Sequence, residues 1–450
     1  MNTRKSHPLI YGTIILTATG FLTRIIGFFY RIYLSRLFGE EGMGIYQLLS
    51  PVLSLSFSLT AAGYQTAISK LVAERAAREK HPSFRPLAVG LSISLPLSLL
   101  CNLIVYLLAD PIAVRLLQEP RTASMLRILS FSIPFSAVHA CANGYFYGIK
   151  KAGIPSASQL LEQITRVGCV YIISAYFASM GRIPSVSVAV LGLTVGEFFS
   201  MLVSLGAAWN CFAKSRTHKI NYSLFSSERL FRSSSILYSQ LLAMALPLTA
   251  NRIVLNLLQS VESVSIPARL RLYGYDNVTS LSVYGVLTGM AMPFIFFPNA
   301  LTSSVAILLL PMISESYALG DMAAVRKYST KTIKYCGLMG FGCLCIFVLF
   351  GGWAGTTLFD SPLAGYFIST LGFICPFLYL DTTLSSILQG LGMAGQIFVM
   401  NVICLLIRLG FVFWAVPQFG ITGYLWGLLA SQLILGLLYL VCLWRFFRKY

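Results

Sequence analysis

Acidic side chains are scarce in this chain, with 15 Asp+Glu against 33 Lys+Arg in 450 residues, and only 11% of all residues are charged. An ordinary soluble domain is about 25% charged, so a water-soluble globular enzyme is excluded at the outset. Histidine is rarer still, at four copies, and the ten cysteines form no CxxC pair and no Cys/His cluster at metal-ligand spacing. Metal, redox and cofactor chemistry are therefore not expected, and the cysteines read as buried thiols. No histidine has a ligand-like partner in the sequence, and no P-loop, Walker motif, Ser/His/Asp set or paired-carboxylate motif is present, so no catalytic residue is expected. Long polar segments are missing as well. The longest, roughly residues 213–235, leaves no room for a folded soluble domain. Period-two alternation over strands of about ten residues is also absent, which excludes a membrane β-barrel.

What the chain has is apolar length: 56% of residues are hydrophobic. Twelve runs, near 9–33, 43–69, 87–109, 126–149, 158–179, 186–212, 237–261, 281–310, 332–354, 363–389, 396–417 and 421–444, can each cross a bilayer core of about 30 Å. The basic start at Arg4 and Lys5 followed by an apolar stretch mimics a signal peptide, but no small-residue cleavage site follows, and the stretch reads as the first span. The expected fold is thus an all-α polytopic membrane protein. Its net charge of +18 has a topological explanation that needs no nucleic-acid partner. With a cytoplasmic N-terminus, 21 Lys+Arg fall in inside segments and seven in outside segments, the sense of the positive-inside rule. Both termini are then expected on the cytoplasmic face of the membrane.

The polar stretch divides the spans six and six and exposes a duplication. Shifting residues 128–166 by 242 positions matches Phe131/Phe373, Pro134/Pro376, Phe135/Phe377, Gly148/Gly390, Ala152/Ala394, Gly153/Gly395 and Arg166/Arg408 without a gap. A weaker block aligns Gly192 onward with Gly427 onward. The expected organisation is an N-terminal six-helix lobe (1–212), a cytoplasmic linker (213–236) and a C-terminal six-helix lobe (237–450). An even span count gives the lobes the same orientation, so the pseudo-twofold axis runs along the membrane normal, a geometry suited to alternating access around a central cleft.

Charges inside spans are the candidate functional groups, because a central arginine costs at least about 2.5 to 3.5 kcal/mol in a bilayer. Arg24, Arg166, Arg252 and Arg408 lie within apolar runs, with Arg31 near the end of the first. Thr13, Thr17, Gly20, Arg24, Gly27 and Arg31 fall on one face of a helix, and Arg252, Asn256, Gln259 and Ser263 on another. Neither Arg24 nor Arg252 has an acidic neighbour one turn away, whereas Glu162 and Arg166 are placed to pair. Arginines without partners favour a phosphate-bearing anion, which they hold through bidentate hydrogen bonds. Arg24, Arg31, Arg252, Asn256, Gln259, Arg166 and Arg408 are the candidate substrate-binding residues. Asp381, Glu197 and Glu262 are the candidates for coupling to an ion. His139, aligned with Asp381 by the repeat, is the histidine worth testing.

The segment TRIIGFFYRIYLSRLFGEEGMGIYQLLSP, Thr23 to Pro51, followed by AAGYQTAISKLVAE to Glu74, closely resembles the opening of the stage V sporulation protein B family. That family belongs to the multidrug, oligosaccharidyl-lipid and polysaccharide flippase superfamily. FPNALTSSVAILLLPMISE, Phe297 to Glu315, looks like the corresponding region of the second lobe in those proteins. The resemblance implies a flippase for a lipid-linked oligosaccharide or other anionic lipid, for instance a peptidoglycan precursor such as lipid II, in a spore-forming bacterium, with cell-wall synthesis enzymes as partners. In similar lipid II flippases, arginines of the first helix and second lobe line a cationic cavity, and Arg24, Arg31 and Arg252 occupy comparable places. Many of those relatives have fourteen spans, the last two forming a groove for the lipid tail, where twelve are read here. The competing class is a multidrug exporter that exchanges an organic cation for Na⁺ or H⁺ and needs carboxylates facing its cavity.

Overall fold

The computed structural model describes residues 7–78, 83–217 and 227–449, and their side chains except those of 7–14, 16, 77–78, 214–217, 227–235 and 449. Most of the expected linker, 213–236, therefore lies outside the described side chains. All regular structure among the described residues is helical, as the bilayer requires when every backbone N–H and C=O must find its partner within the segment.

Twelve long helices carry the chain: α1 (His7–Leu48), α2 (Gly63–Arg78), α3 (Arg85–Leu107), α4 (Ser132–Gly148), α5 (Gly153–Ser179), α6 (Ser187–Thr217), α7 (Ser227–Tyr273), α8 (Asn299–Ala318), α9 (Met322–Phe359), α10 (Cys375–Gly390), α11 (Ala394–Trp414) and α12 (Ile421–Lys449). Short pieces lead into some of them, notably Ser50–Phe57 into α2, Thr122–Ser130 into α4, Asn277–Gly285 into α8 and Pro362–Leu371 into α10.

Among the described residues, eleven helical stretches are long and apolar enough to cross a membrane. The first, Thr17–Ala76, has 60 residues, about 90 Å of helix and enough for two passes. Asn277–Phe296 and Asn299–Ala318 are two stretches where the sequence reading places one span. α5, which carries Glu162 and Arg166, falls outside the eleven.

The duplication is visible in the backbone. Ser58–Ala62 and Val286–Ala291 are both π-helical turns, and they start 228 residues apart, the separation of Arg24 and Arg252. α1 kinks at a glycine with positive φ, Gly39 at 69°, and α7 ends just before one, Gly274 at 114°. The turns joining α4 to α5 and α10 to α11 each contain one left-handed residue, Lys150 (φ 59°) and Gly392 (φ 80°), again 242 apart. The matched glycines Gly148 and Gly390 are points of close helix approach. A Cβ on Gly148 would run into Ser69 and Val72 of α2, and one on Gly390 into Leu310 and Ile313 of α8. Small residues let helix backbones approach where lipid supplies no hydrophobic drive.

By its contacts the chain forms two compact units, one of residues 1–27 and 49–257, the other of 28–48 and 258–450. Most of each expected lobe falls in one unit, while residues 28–48 of α1 and the part of α7 up to Leu257 belong to the unit built from the other half of the sequence. In the first unit α2, α3, α4 and α7 share a core of Tyr64, Ile68, Leu87, Tyr145, Phe146, Leu237 and Leu241. In the second, α8, α10, α11 and α12 bury Leu309, Ile313, Leu384, Ile387, Leu435 and Tyr439. There Arg36 caps the end of α9, donating from Nε to the Leu358 carbonyl at 2.9 Å and from Nη2 to the Thr357 carbonyl at 2.5 Å. Cys141, Cys336, Cys375, Cys404 and Cys442 are buried thiols as expected, but Cys345 is exposed.

Candidate functional site

The first unit holds two groups of intramembrane charge. On α1, Arg24 is exposed and a Cβ built on Gly20 or Gly27 meets nothing within 4 Å, so the small-residue face that carries Arg24 is uncovered. On α7, Arg252 is exposed too. Among the described residues neither arginine has a hydrogen-bond or ion-pair partner. Their helical neighbours divide. Asn256 turns inward, its amide donating to Ser58 Oγ and, at 3.4 Å, to the Ser54 carbonyl at the π turn. Gln259 is exposed, and Arg31 is half-buried in the second unit. The side chain of Thr13 lies outside the described residues.

The second group is a polar cavity of about 210 Å³ lined by His139 and Asn143 of α4, Gln159 and Glu162 of α5, and Glu197 of α6. Glu162 pairs with Arg166 one turn along its helix, the pairing expected from their spacing. His139 Nδ1 lies 3.6 Å from Glu197 Oε2. The other ring nitrogen, Nε2, is 2.6 Å from the Asn143 amide nitrogen, 3.0 Å from Ser200 Oγ and 3.2 Å from Ser158 Oγ. The expectation that no histidine has a ligand-like partner is thus corrected. The three groups come from three helices, so no local spacing could announce them. Ser158 and Ser200, which hold the imidazole, gave no signal in the sequence beyond being polar in an apolar run.

In the second unit the equivalent arginine is neutralised across helices. Arg408 of α11 donates from Nη2 to Glu262 Oε2 at 2.7 Å, with Nε 2.6 Å from Oε1, and Tyr424 of α12 donates to Oε1 at 2.7 Å. Glu262, a coupling candidate, and Arg408, a substrate candidate, are therefore held together. Asp381 is buried on α10, and neither of its carboxylate oxygens has a hydrogen-bond partner among the described residues. Of the candidates, the structure thus brings Arg166 into the cavity group with Glu197, joins Arg408 to Glu262, and leaves Arg24, Arg252, Gln259 and Asp381 outside both groups.

Helices in two units, repeated with matching π turns and carrying ionisable groups within long apolar helices, define a multi-pass membrane protein of the transporter type. A multidrug resistance MATE family transporter of the MOP superfamily, solved in an inward-facing conformation, superposes with a TM-score of 0.70 at 15% identity over 97% of this chain and 98% of that one. A lipid II flippase MurJ in an inward closed conformation gives 0.69, also at 15% identity, covering 96% of this chain and 87% of that one. At such identity the likeness is one of fold. The sequence is more specific: residues 9–317 match the polysaccharide biosynthesis protein family model, and the chain belongs to that family. It is 30% identical to stage V sporulation protein B of Bacillus subtilis over 96% of this chain and 83% of that one, and 22% identical to lipid II flippase MurJ of the same organism over 80% and 66%. It is a stage V sporulation protein B-like member of the MOP flippase superfamily.

Proposed function

We propose that the protein is an alternating-access flippase that carries the diphosphate head group of a lipid-linked oligosaccharide, such as a peptidoglycan precursor, outward across the cytoplasmic membrane. The observation that carries this reading is the contrast among the intramembrane arginines. Arg166 and Arg408 have carboxylate partners, whereas Arg24 and Arg252 are exposed and have none among the described residues. Hydrocarbon does not tolerate an arginine without a partner, and two such arginines suit an anion with two phosphates. Relatives whose names refer to lipid II and to sporulation support the substrate class. A head group with about two negative charges gains roughly 2.3 kcal/mol per charge per 100 mV on leaving an inside-negative compartment, so export needs no nucleotide.

The test is the flux of a labelled undecaprenyl diphosphate sugar in proteoliposomes with the potential clamped. Arg24→Ala or Arg252→Ala should reduce flux at least tenfold at normal protein abundance, and Lys at either position should retain part of it. Unchanged flux in the double Ala variant rejects the anion reading. Asp381, buried and with no hydrogen-bond partner among the described residues, favours the second reading, a cation exporter coupled to Na⁺ or H⁺. Indifference to potential, together with dependence on an ion gradient and on Asp381, would select it. The excess of Lys+Arg in one set of loops supports both termini facing the cytoplasm. In a cysteine-depleted background, a thiol at position 121 should react with an impermeant reagent from outside, and one at 326 only after permeabilisation.

A further inference from the structure

We propose that the cavity lined by α4, α5 and α6, with Phe57 and Gln65 on its remaining side, is a binding site for one divalent transition-metal ion of the Zn²⁺ or Co²⁺ class, with His139, Glu162 and Glu197 as its protein ligands. One donor atom from each lies within 4.8 Å of the others, and the imidazole and one carboxylate, 3.6 Å apart, are already at the separation of adjacent ligands around a tetrahedral ion with bonds of about 2.0 to 2.2 Å. Nε2 is held by Asn143, Ser158 and Ser200, outer groups that orient the ring, and Nδ1 faces Glu197 at 3.6 Å and Ser200 Oγ at 3.3 Å. With the Asn143 amide donating to Nε2 the ring proton sits on Nδ1, and a metal bound there displaces it. Glu197 Oε2 is buried without a hydrogen-bond partner among the described residues.

Charge points the same way. Two carboxylates line the cavity, and of these Glu162 has the Arg166 guanidinium as a partner, so the carboxylate of Glu197 is the one that calls for a cation. A nitrogen donor beside carboxylate oxygens selects a transition-metal dication over an alkali ion. The cavity, at about 210 Å³, also has room for water ligands at about 30 Å³ each. The second lobe does not repeat the site, because the repeat offsets place Asp381, Cys404 and Gln432 where the first has His139, Glu162 and Glu197.

The test reads metal binding directly, so its outcome is separate from that of flipping. Metal-free, full-length protein in detergent is titrated with Co²⁺, followed by its visible absorption, and Zn²⁺ is then used to displace it. One equivalent should bind, with a spectrum typical of mixed nitrogen and oxygen coordination, and should raise the thermal midpoint. His139→Ala and Glu197→Gln should each weaken binding at least tenfold and remove the thermal shift, while Asp381→Asn changes neither. Should a variant fail to fold, the wild-type stoichiometry and spectrum still decide. Absence of Co²⁺ binding at millimolar concentration, a spectrum lacking a nitrogen ligand, or binding unchanged in both cavity variants would overturn the site. So would stabilisation of the wild-type protein by protons alone, with none from metal.

Discussion

Arg166 and Arg408 stand at the same point of an internal repeat, yet their surroundings differ in how charge is settled. Arg408 meets Glu262 from a helix 146 residues away in sequence, and Tyr424 completes the carboxylate's shell, so the second unit closes its pair into a packed triad. Arg166 takes Glu162 from its own helix, and Glu197 and His139 remain beside it around open volume. One duplicated arginine thus serves as a cross-link between helices in one half and, in the other, as the partner of a carboxylate that lines a polar cavity. A fold repeat preserves where a charge sits while leaving free what that charge does.

The contrast is broken most severely at Arg408. Replacing it by Met leaves Glu262 charged and buried, and the loss should be about 3 to 5 kcal/mol, seen as a collapse of the thermal midpoint in detergent. Adding Glu262→Met should recover most of it, since apolar replacement of a whole buried pair is often neutral. Arg166→Met should cost markedly less, because its carboxylate faces a polar cavity. Equal losses at the two arginines would erase the distinction between the lobes. Tyr424→Phe removes a hydrogen bond to a charged acceptor and should cost about 1.5 to 3 kcal/mol.

Gly148→Ala and Gly390→Ala sharpen the comparison from the other side. Each Cβ would strike the neighbouring helix, so both should lose about 1 to 3 kcal/mol through overpacking, and equal losses would mark packing as the part of the repeat that stayed symmetric. The smallest effect belongs to Asp276, in the exposed connection after α7. Hydrogen bonds from Thr279, including its backbone N–H at 3.3 Å, hold the Asp276 carboxyl below its usual range. A lowered folded value means that its stabilisation is present above the ordinary carboxylate value and disappears as pH falls through the folded one. The difference in thermal midpoint between Asp276→Ala and the unaltered protein should therefore vanish in strong acid and be constant near neutrality.

Much of the architecture was legible because the bilayer simplifies the code. Apolar runs of fixed length gave the helices, and the Phe131/Phe373 and Gly148/Gly390 matches gave the repeat that the backbone shows in its paired π turns. The pair Glu162–Arg166 was legible because its partners are one turn apart. Glu262–Arg408 was not, since nothing local links residues on α7 and α11, and the same holds for His139 and Glu197. Asn256 illustrates a subtler limit. A polar stripe at helical spacing marks a face that avoids lipid, and this one placed Asn256 with Arg252, but the stripe does not say whether the next atom is a ligand or a neighbouring helix.

The π turn at Ser58–Ala62 sets the phase of everything that follows it. Such a turn holds one residue more than an α-helical ladder accommodates, and tightening it would rotate the downstream helix by about 100°. Gly63, Tyr64 and Ile68 would then leave their places against α3, α4 and α7. The turn is pinned from two sides, by Ser94 Oγ donating to the Thr60 carbonyl at 2.5 Å and by Asn256 donating to Ser58. Those two polar contacts act on angle more than on energy: they fix which face of α2 is presented to the rest of the first unit.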